Sequence, residues 1–163
     1  MDIIKMPHMK KSDYDLLINE EFICRIALAG DEHPYIAPFL YVFDGKFMYF
    51  LSTKYGRKIE HFKRNPFATV EVERYTHDLS HFSFVAIPGR LTEVEDPEIK
   101  RRVREMFVQL IKNRDLSPNV LSALGHSPDE PLETLLTDER NSVWQLVGVN
   151  VKEIRGLRSS DSI

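Results

Sequence analysis

Short apolar runs separated by polar turns dominate the chain, a pattern typical of β-strands. The runs at 35–43 and 46–51 are almost wholly apolar, which indicates burial on both faces, as in a closed barrel. Residues 67–74 instead alternate between apolar and polar, which predicts a half-exposed strand. With these three, the pattern predicts six strands: 22–29, 35–43, 46–51, 67–74, 82–94 and 141–154.

Three segments have helical signals. Ser12 resembles an N-cap for a short helix over 13–21, and Arg57 opens a second helix that ends before Asn65-Pro66. The longest predicted helix starts at Asp96-Pro97 and ends near Lys112. Residues 114–141, which several prolines interrupt, are expected to form a loop with one or two helical turns over a cleft or an interface.

Turn residues connect many of these elements at hairpin distance. Asp44-Gly45 predicts a two-residue hairpin loop, and Pro88-Gly89 predicts a bulge. Pro38 predicts a bulge or a free edge in the second strand, which leaves backbone groups near Phe39 and Tyr41 available to a flat ligand. The sequence therefore predicts a mainly β fold with inserted helices, an antiparallel six-stranded barrel. It forms one domain over 1–163, with flexible tails at 1–11 and 156–163.

Composition narrows the class of protein. The net charge of −3 and pI near 6.1 argue against a dedicated nucleic-acid binder. The basic residues of the long helix, which include Arg102 and Arg104, are predicted to lie on a solvated face. Cys24 is the single cysteine and is predicted to be a small apolar residue in a strand. The chain has no signal-peptide pattern and no apolar run of the ~20 residues that a membrane helix needs, so we expect a cytoplasmic protein.

The most informative chemistry lies at the end of the third strand. Ser52 and Thr53 are followed by Gly56 and then by Arg57 and Lys58 at a helix start. Hydroxyls, free backbone N–H groups and two cations are the components of a phosphate site. A solvated basic turn is the alternative explanation of the same pattern.

Other chemistry-bearing motifs are weaker. The sequence has no dinucleotide glycine fingerprint, no Walker loop and no recognisable nucleophile motif. His77 and His81 are four residues apart but on a predicted loop, where this spacing does not align two imidazoles. We therefore predict no metal site and name no catalytic residue.

A set of motifs follows in order along the chain: Cys24-Arg25-Ile26-Ala27, His33-Pro34-Tyr35-Ile36-Ala37-Pro38, the Asp44 to Phe50 run, Gly56-Arg57-Lys58, Arg64-Asn65-Pro66 and Gly89-Arg90-Leu91. Together they resemble the FMN-binding split barrels related to pyridoxamine 5′-phosphate oxidase, in particular the nitroimidazole-resistance branch. The resemblance covers residues 12–113 well and 142–156 more loosely.

This resemblance implies FMN as cofactor and a homodimer with flavin at the subunit interface. Arg57 and Lys58 would bind the phosphate, strand-end residues would line the phosphate and ribityl chain, and the second strand would meet the isoalloxazine ring. Trp144 is a candidate contribution from the partner subunit. The complete implied set is Pro38, Phe39, Leu40, Tyr41, Leu51, Ser52, Thr53, Arg57, Lys58 and Trp144.

Two departures bear on activity. Where the oxidase has an Arg and a Lys on its second strand, this chain has Ile36 and Tyr41, and the oxidase's C-terminal substrate signature is not evident. We therefore expect a flavin reductase or another flavin-carrying protein for an unknown small molecule, and not pyridoxamine phosphate oxidation. A deazaflavin-dependent reductase stays open, as does a non-catalytic protein that stores flavin or binds haem.

A homodimer is also expected from the strand aromatics. Phe39, Tyr41, Phe50 and Trp144 would supply more aromatic surface than a thin helical layer covers, and exposed apolar patches mark interfaces.

Overall fold

The protein is described by a computed structural model over residues 1–160. The strands are β1 (Ile23–Leu28), β2 (Tyr35–Phe43), β3 (Met48–Thr53), β4 (Phe67–Tyr75), β5 (Phe82–Glu93), β6 (Asn141–Val147) and β7 (Arg155–Arg158). The α-helices are α1 (Lys11–Glu20), α2 (Arg57–Arg64), α3 (Pro97–Asn113) and α4 (Val120–Ala123). Two short 3-10 helices cover Leu132–Leu136 and Val151–Glu153.

The strands form a closed antiparallel barrel. Hydrogen-bonded neighbours run in the order β4, β1, β2, β3, β6, β5, and β5 pairs back with β4 to close the ring. β7 lies outside the ring and pairs with the first half of β5. The predicted six-stranded antiparallel barrel is confirmed, with one additional strand.

The barrel is split between β2 and β3. These strands pair only from Tyr41 opposite Phe50 to Phe43 opposite Met48. Beyond that point β2 continues to pair with β1, while β3 turns away with β6 as its partner. The ladder thus opens between Leu40 and Leu51, and α2 follows directly after the end of β3.

Two apolar cores hold the fold together. The first fills the barrel and contains Phe39, Tyr41, Phe50 and Trp144, with Ile59 and Phe62 of α2 packed against them. The aromatics from which we expected an exposed interface are therefore interior residues, and that argument for a homodimer is wrong. The barrel closes around them because alternate residues of each strand point inward.

The second core lies between the barrel wall and the helices. Val42, Tyr49, Leu51 and Val143 meet the apolar face of α3 there, together with residues of the 114–141 segment. This segment, expected as a loop over a cleft or an interface, covers the outer face of the barrel. Leu121, Leu124 and Leu135 attach it.

Parts of both predicted tails pair with the sheet. The expected tail at 156–163 contains most of β7, and Gly156 is buried. Within the expected tail at 1–11, Met9 N–H donates to the Gly156 carbonyl at 2.8 Å and His8 bridges to Leu157. β7 covers an edge that β5 would otherwise expose, and the N-terminal segment pairs with the other edge of β7. Residues 161–163 lie outside the described part of the chain.

Three local expectations need correction. Lys10, and not Ser12, is the N-cap of α1. β6 ends at Val147 because Gly148 adopts a positive φ of 67°. β5 has no bulge at Pro88: its register with β4 is continuous there, and the proline lies where the other edge of β5 changes partner from β7 to β6.

Candidate functional site

The open edge of β2 is the first component of the site. The Tyr41 N–H donates to the Phe22 carbonyl at 3.0 Å, so Tyr41, Phe39 and Ala37 direct their backbone groups toward β1. In an antiparallel pair these directions alternate. The backbone groups of Ile36, Pro38 and Leu40 therefore face the split. The predicted free edge at Pro38 is confirmed, but its backbone groups belong to the even-numbered residues and not to Phe39 and Tyr41.

The start of α2 is the second component. Gly56 has φ = 105°, a conformation that glycine adopts without strain, and it is the N-cap of the helix. No side chain within residues 1–160 caps this end. The first N–H groups of α2 consequently have no side-chain acceptor, and such groups favour an anion.

Arg57 and Lys58 supply the charge. Within the described residues neither forms a salt bridge or a side-chain hydrogen bond. Arg57 is exposed, whereas Lys58 is half-buried with its Nζ 5.2 Å from the centroid of the Phe39 ring. Burial lowers the pKa of Lys58. A partly desolvated cation without a carboxylate gains most from an anionic ligand.

The two hydroxyl side chains of the site are more deeply buried than its cations. Ser52 and Thr53 are buried at the end of β3, where Ser52 Oγ donates to the Thr53 carbonyl at 3.2 Å. Thr53 Oγ1 donates to the Tyr55 carbonyl at 3.3 Å. Both bonds shape the connection to Gly56 and leave each oxygen's acceptor capacity unused.

The structure groups some of the predicted cofactor residues and separates others. Pro38 and Leu40 lie on the outer face of β2 beside the split, and Phe39 lies beneath Lys58. Tyr41 points into the barrel, where its hydroxyl donates to the Ile18 carbonyl at 2.6 Å. The Leu51 side chain belongs to the second core, so only its backbone borders the split.

The Trp144 side chain lies in the core of its own barrel. It is 7% exposed and packs edge-on against Phe62, with ring centroids 4.8 Å apart. Its Nε1 is buried without a hydrogen-bond partner among the described residues. The indole is therefore part of the barrel core beneath α2, and its implied role in a partner's site has no support in the geometry.

Sequence reasoning missed a buried polar network behind β3. Arg104, predicted on a solvated face, is 2% exposed. Its Nη1 donates to Asn141 Oδ1 at 2.6 Å and to the Leu135 carbonyl at 3.2 Å, and its Nη2 donates to the Asn141 carbonyl at 2.8 Å. Asn141 is the register partner of Thr53, which links the network to the site. The available signal was spacing, because Arg104 shares a helical face with Val108 and Ile111.

His126 extends this network toward the surface. Its Nδ1 lies 2.9 Å from Arg140 Nη2, and Arg140 also donates to Glu130 and Asp138. Burial, and then the charge of Arg140, lower the pKa of His126. Hydrogen bonds from Arg140 hold the pKa of Asp138 at about 2. These groups therefore form a network of hydrogen bonds and ion pairs with one another.

Within residues 1–160, no helix has the length and apolar character needed to cross a bilayer. The same residues contain no group of three or more His, Cys, Asp and Glu side chains placed to hold a metal ion.

The split barrel and its open strand edge define the class of protein. The sequence profile described as pyridoxamine 5′-phosphate oxidase matches residues 10–137. The chain therefore belongs to this family, as its motifs had indicated. A comparison with curated proteins gives no match.

Solved structures show the same fold. The chain is similar to an FAD-binding protein from Mesorhizobium loti, with 16% identity, a TM-score of 0.62 and coverage of 96% of this chain and 100% of that chain. It is similar to a putative 5-nitroimidazole antibiotic resistance protein from Bacteroides thetaiotaomicron, with 18% identity, a TM-score of 0.63 and coverage of 94% and 90%. It is also similar to an FAD and heme binding protein from Mycobacterium smegmatis, with 13% identity, a TM-score of 0.66 and coverage of 94% and 73%.

Proposed function

We propose that this protein binds a flavin nucleotide, with FMN as the smallest form that satisfies the site. The observation that carries the proposal is the split between β2 and β3, with two cations at its end that have no acidic partner within residues 1–160. Arg57 and Lys58 bind the phosphate, and the strand end at Ser52 and Thr53 lies beside the ribityl chain. Two of the similar structures are of proteins named as FAD-binding, which supports a flavin over other phosphates.

The ring system fits the open edge of β2. The N–H groups of Ile36 and Leu40 and the carbonyl of Pro38 face the split and offer both donors and acceptors to the polar edge of an isoalloxazine. The side chains beside them are apolar and suit a flat aromatic ring. The residues present therefore fit the group.

The functional unit is a homodimer in this proposal. The outer face of β1 and β2 carries two apolar side chains that the described chain leaves exposed, Ile23 at 51% and Ile36 at 63%. Exposed Pro38 and its register partner Arg25 lie between them, and Leu40 is half-buried against the second core. A second copy covers the face and closes the ring site from the other side, since exposed apolar residues mark interfaces.

The activity that follows is flavin-dependent oxidation or reduction of a small molecule, of the flavin reductase type. The flavin supplies the electron transfer when bound, while the protein binds and orients it. Pyridoxamine phosphate oxidation is not proposed. Ile36 and Tyr41 occupy the positions of the oxidase's Arg and Lys, and the Tyr41 hydroxyl is already bonded inside the barrel.

An absorption spectrum of the purified protein and a fluorescence titration with FMN test this proposal. Flavin bands, or quenching that saturates at one FMN per chain, are expected. A colourless protein that takes up no FMN refutes it. A deazaflavin spectrum or a haem Soret band would instead assign one of the alternative cofactors. Light scattering should give a dimer mass at micromolar concentration, and a monomer mass would contradict the shared site.

A further inference from the structure

A cleft next to the proposed phosphate position is not explained by FMN. It measures about 620 Å³ and lies between the β1–β2 turn and the exposed face of α2. Arg57 lines it, so the cleft begins where the flavin phosphate is proposed to sit. Its volume and lining leave room for a second group attached to that phosphate or bound next to it.

An aromatic pair forms one wall of the cleft. The rings of Tyr35 and His61 are stacked with centroids 5.0 Å apart and planes inclined by 28°. Both residues are half-buried and both line the cleft, so part of the stack remains open to it. Stacked aromatic rings of this kind are a platform for a nucleic-acid base.

Charged residues on one face of α2 line the cleft in an order that suits a nucleoside. Arg57, Glu60, His61 and Arg64 follow the spacing i, i+3, i+4, i+7 and share one face of the helix, about 10 Å long. Arg64 is neutralised by Asp31, with its Nη1 2.6 Å from Asp31 Oδ1. Arg57 remains for a phosphate.

Glu60 is exposed and, within residues 1–160, has no cationic partner. A carboxylate in this position accepts hydrogen bonds from ribose hydroxyls, as acidic residues do in dinucleotide sites. The same carboxylate repels a 2′-phosphate. The lining therefore favours an adenosine with free ribose hydroxyls.

We propose that this cleft binds the adenosine group of an adenine dinucleotide, with its diphosphate at Arg57 and its base on the Tyr35–His61 stack. Two ligands carry this chemistry: FAD, whose flavin half occupies the split, and an NADH-type electron donor. The proposal uses the flavin function only to place the diphosphate at Arg57. The cleft itself is independent of it.

The experiment compares FMN, FAD and ADP-ribose as ligands of the flavin-free protein, followed by fluorescence and calorimetry, with ADP-ribose also titrated into the FMN-loaded protein. The variants are His61→Ala and Glu60→Ala, and His77→Ala is the control, an exposed histidine on the β4–β5 turn. If the adenosine belongs to FAD, FAD binds at least about tenfold more tightly than FMN. That advantage disappears in His61→Ala and shrinks in Glu60→Ala, while FMN affinity stays unchanged.

If the adenosine belongs to the donor, FAD and FMN bind equally and the FMN-loaded protein binds ADP-ribose in a His61-dependent manner. Glu60 is exposed, so Glu60→Ala tests the site even if His61→Ala destabilises the fold. Equal affinities for FMN and FAD without any ADP-ribose binding overturn the inference and leave the flavin proposal intact. Binding of ADP-ribose without any flavin binding refutes the proposed function and retains the cleft.

Discussion

The basic residues at the start of α2 and the buried arginine of α3 differ in their hydrogen-bond partners. Arg57 and Lys58 at the start of α2 have no acidic partner within residues 1–160, although Lys58 is half-buried. Arg104 on α3 is more deeply buried, yet three acceptors lie within 3.2 Å of its guanidinium. A cation whose donors all bond to acceptors of the protein stabilises the fold, whereas a cation whose donors lack such acceptors is available to a ligand.

The acceptors around Arg104 explain its burial. The carbonyls that accept from Arg104 belong to Asn141, at the start of β6, and to Leu135, in the 3-10 helix Leu132–Leu136. Arg104 ties these two segments to α3. The comparison predicts that Arg104 determines stability and that Arg57 and Lys58 determine affinity.

The largest effect is expected for Arg104→Met. The variant leaves the Asn141 oxygens and the Leu135 carbonyl buried without a donor, and each such loss costs about 1–3 kcal/mol. We expect the free energy of unfolding to fall by roughly 3 kcal/mol or more, a decrease in Tm of about 6–12 °C for a chain of this size. Urea and thermal unfolding measure it. The control is Arg102→Met, at an exposed position of the same helix, which should change stability by less than about 0.5 kcal/mol. Equal losses of stability in the two variants would contradict the structural role of Arg104.

The next effect concerns Arg57→Ala. Loss of one charge-assisted hydrogen bond, worth about 1.5–3 kcal/mol, should weaken FMN binding by about ten- to a hundredfold. Riboflavin has no phosphate, so its weaker binding should change little, and Tm should stay near that of the wild type. Fluorescence titration with both ligands provides the measurement. A loss of FMN and riboflavin affinity by the same factor would make Arg57 a structural residue.

Arg102→Ala is the control for that titration. Arg102 is an exposed arginine whose Nη2 lies 3.8 Å from Asp44, away from the split. It should leave both ligands unaffected. An effect as large as that of Arg57→Ala would reduce the result to one of net charge.

Lys58 adds a pH dependence. Burial lowers its pKa from the ordinary 10.5, so it loses its proton at a lower pH than an exposed lysine does. FMN affinity should therefore fall as the pH rises through that lowered pKa. Lys58→Ala should weaken FMN binding by a factor similar to or smaller than Arg57→Ala and remove this alkaline loss. Lys58→Arg should keep the affinity constant over the same range, because arginine remains charged. An identical alkaline loss in Lys58→Ala would assign it to another group.

The smallest effect is expected for His126. The pKa of His126 is lowered from 6.5 in the fold, so the unfolded state takes up the proton first as the pH falls. Stability should decline as the pH drops below 6.5 and level off below the pKa of the folded state. His126→Gln should flatten this part of a Tm-against-pH curve. In this variant the further loss of stability at lower pH, due to Glu130 and Asp138, should remain. The pKa values of these two carboxyl groups are lowered in the fold, so their stabilising contribution disappears when they are protonated. An unchanged curve would show that His126 does not titrate on unfolding.

Local patterns were sufficient where one residue type dictates one conformation. Gly56 predicted the turn into α2, and the apolar run 46–51 predicted a strand buried on both faces, which holds for β3. The same prediction for 35–43 is wrong at Ile36 and Pro38, which are exposed beside the split. Pro38 predicted a free edge. In each case neighbouring residues in the chain decide the outcome.

Local patterns failed where a partner distant in sequence decides. Trp144 was assigned to an interface because it is a large aromatic on a strand, yet Phe62 of α2 covers it inside the barrel. The segment after Arg155 reads as a polar tail, and it becomes a strand because the first half of β5 has a free edge. Neither Phe62 nor β5 is close in sequence to the residue it orders.

The sequence by itself determined the barrel, the position of the strand–helix junction and the two cations at that junction, because periodicity, glycine and charge act over a few residues. Only the tertiary structure decided which edge of β2 is open and that Tyr35 stacks on His61 beside the junction. It also decided that Asn141 and Leu135 accept the hydrogen bonds of Arg104, whereas Arg57 has no such acceptors within residues 1–160. Those outcomes depend on register and on contacts between segments up to 37 residues apart. Residue type and spacing along the chain carry no direct record of them.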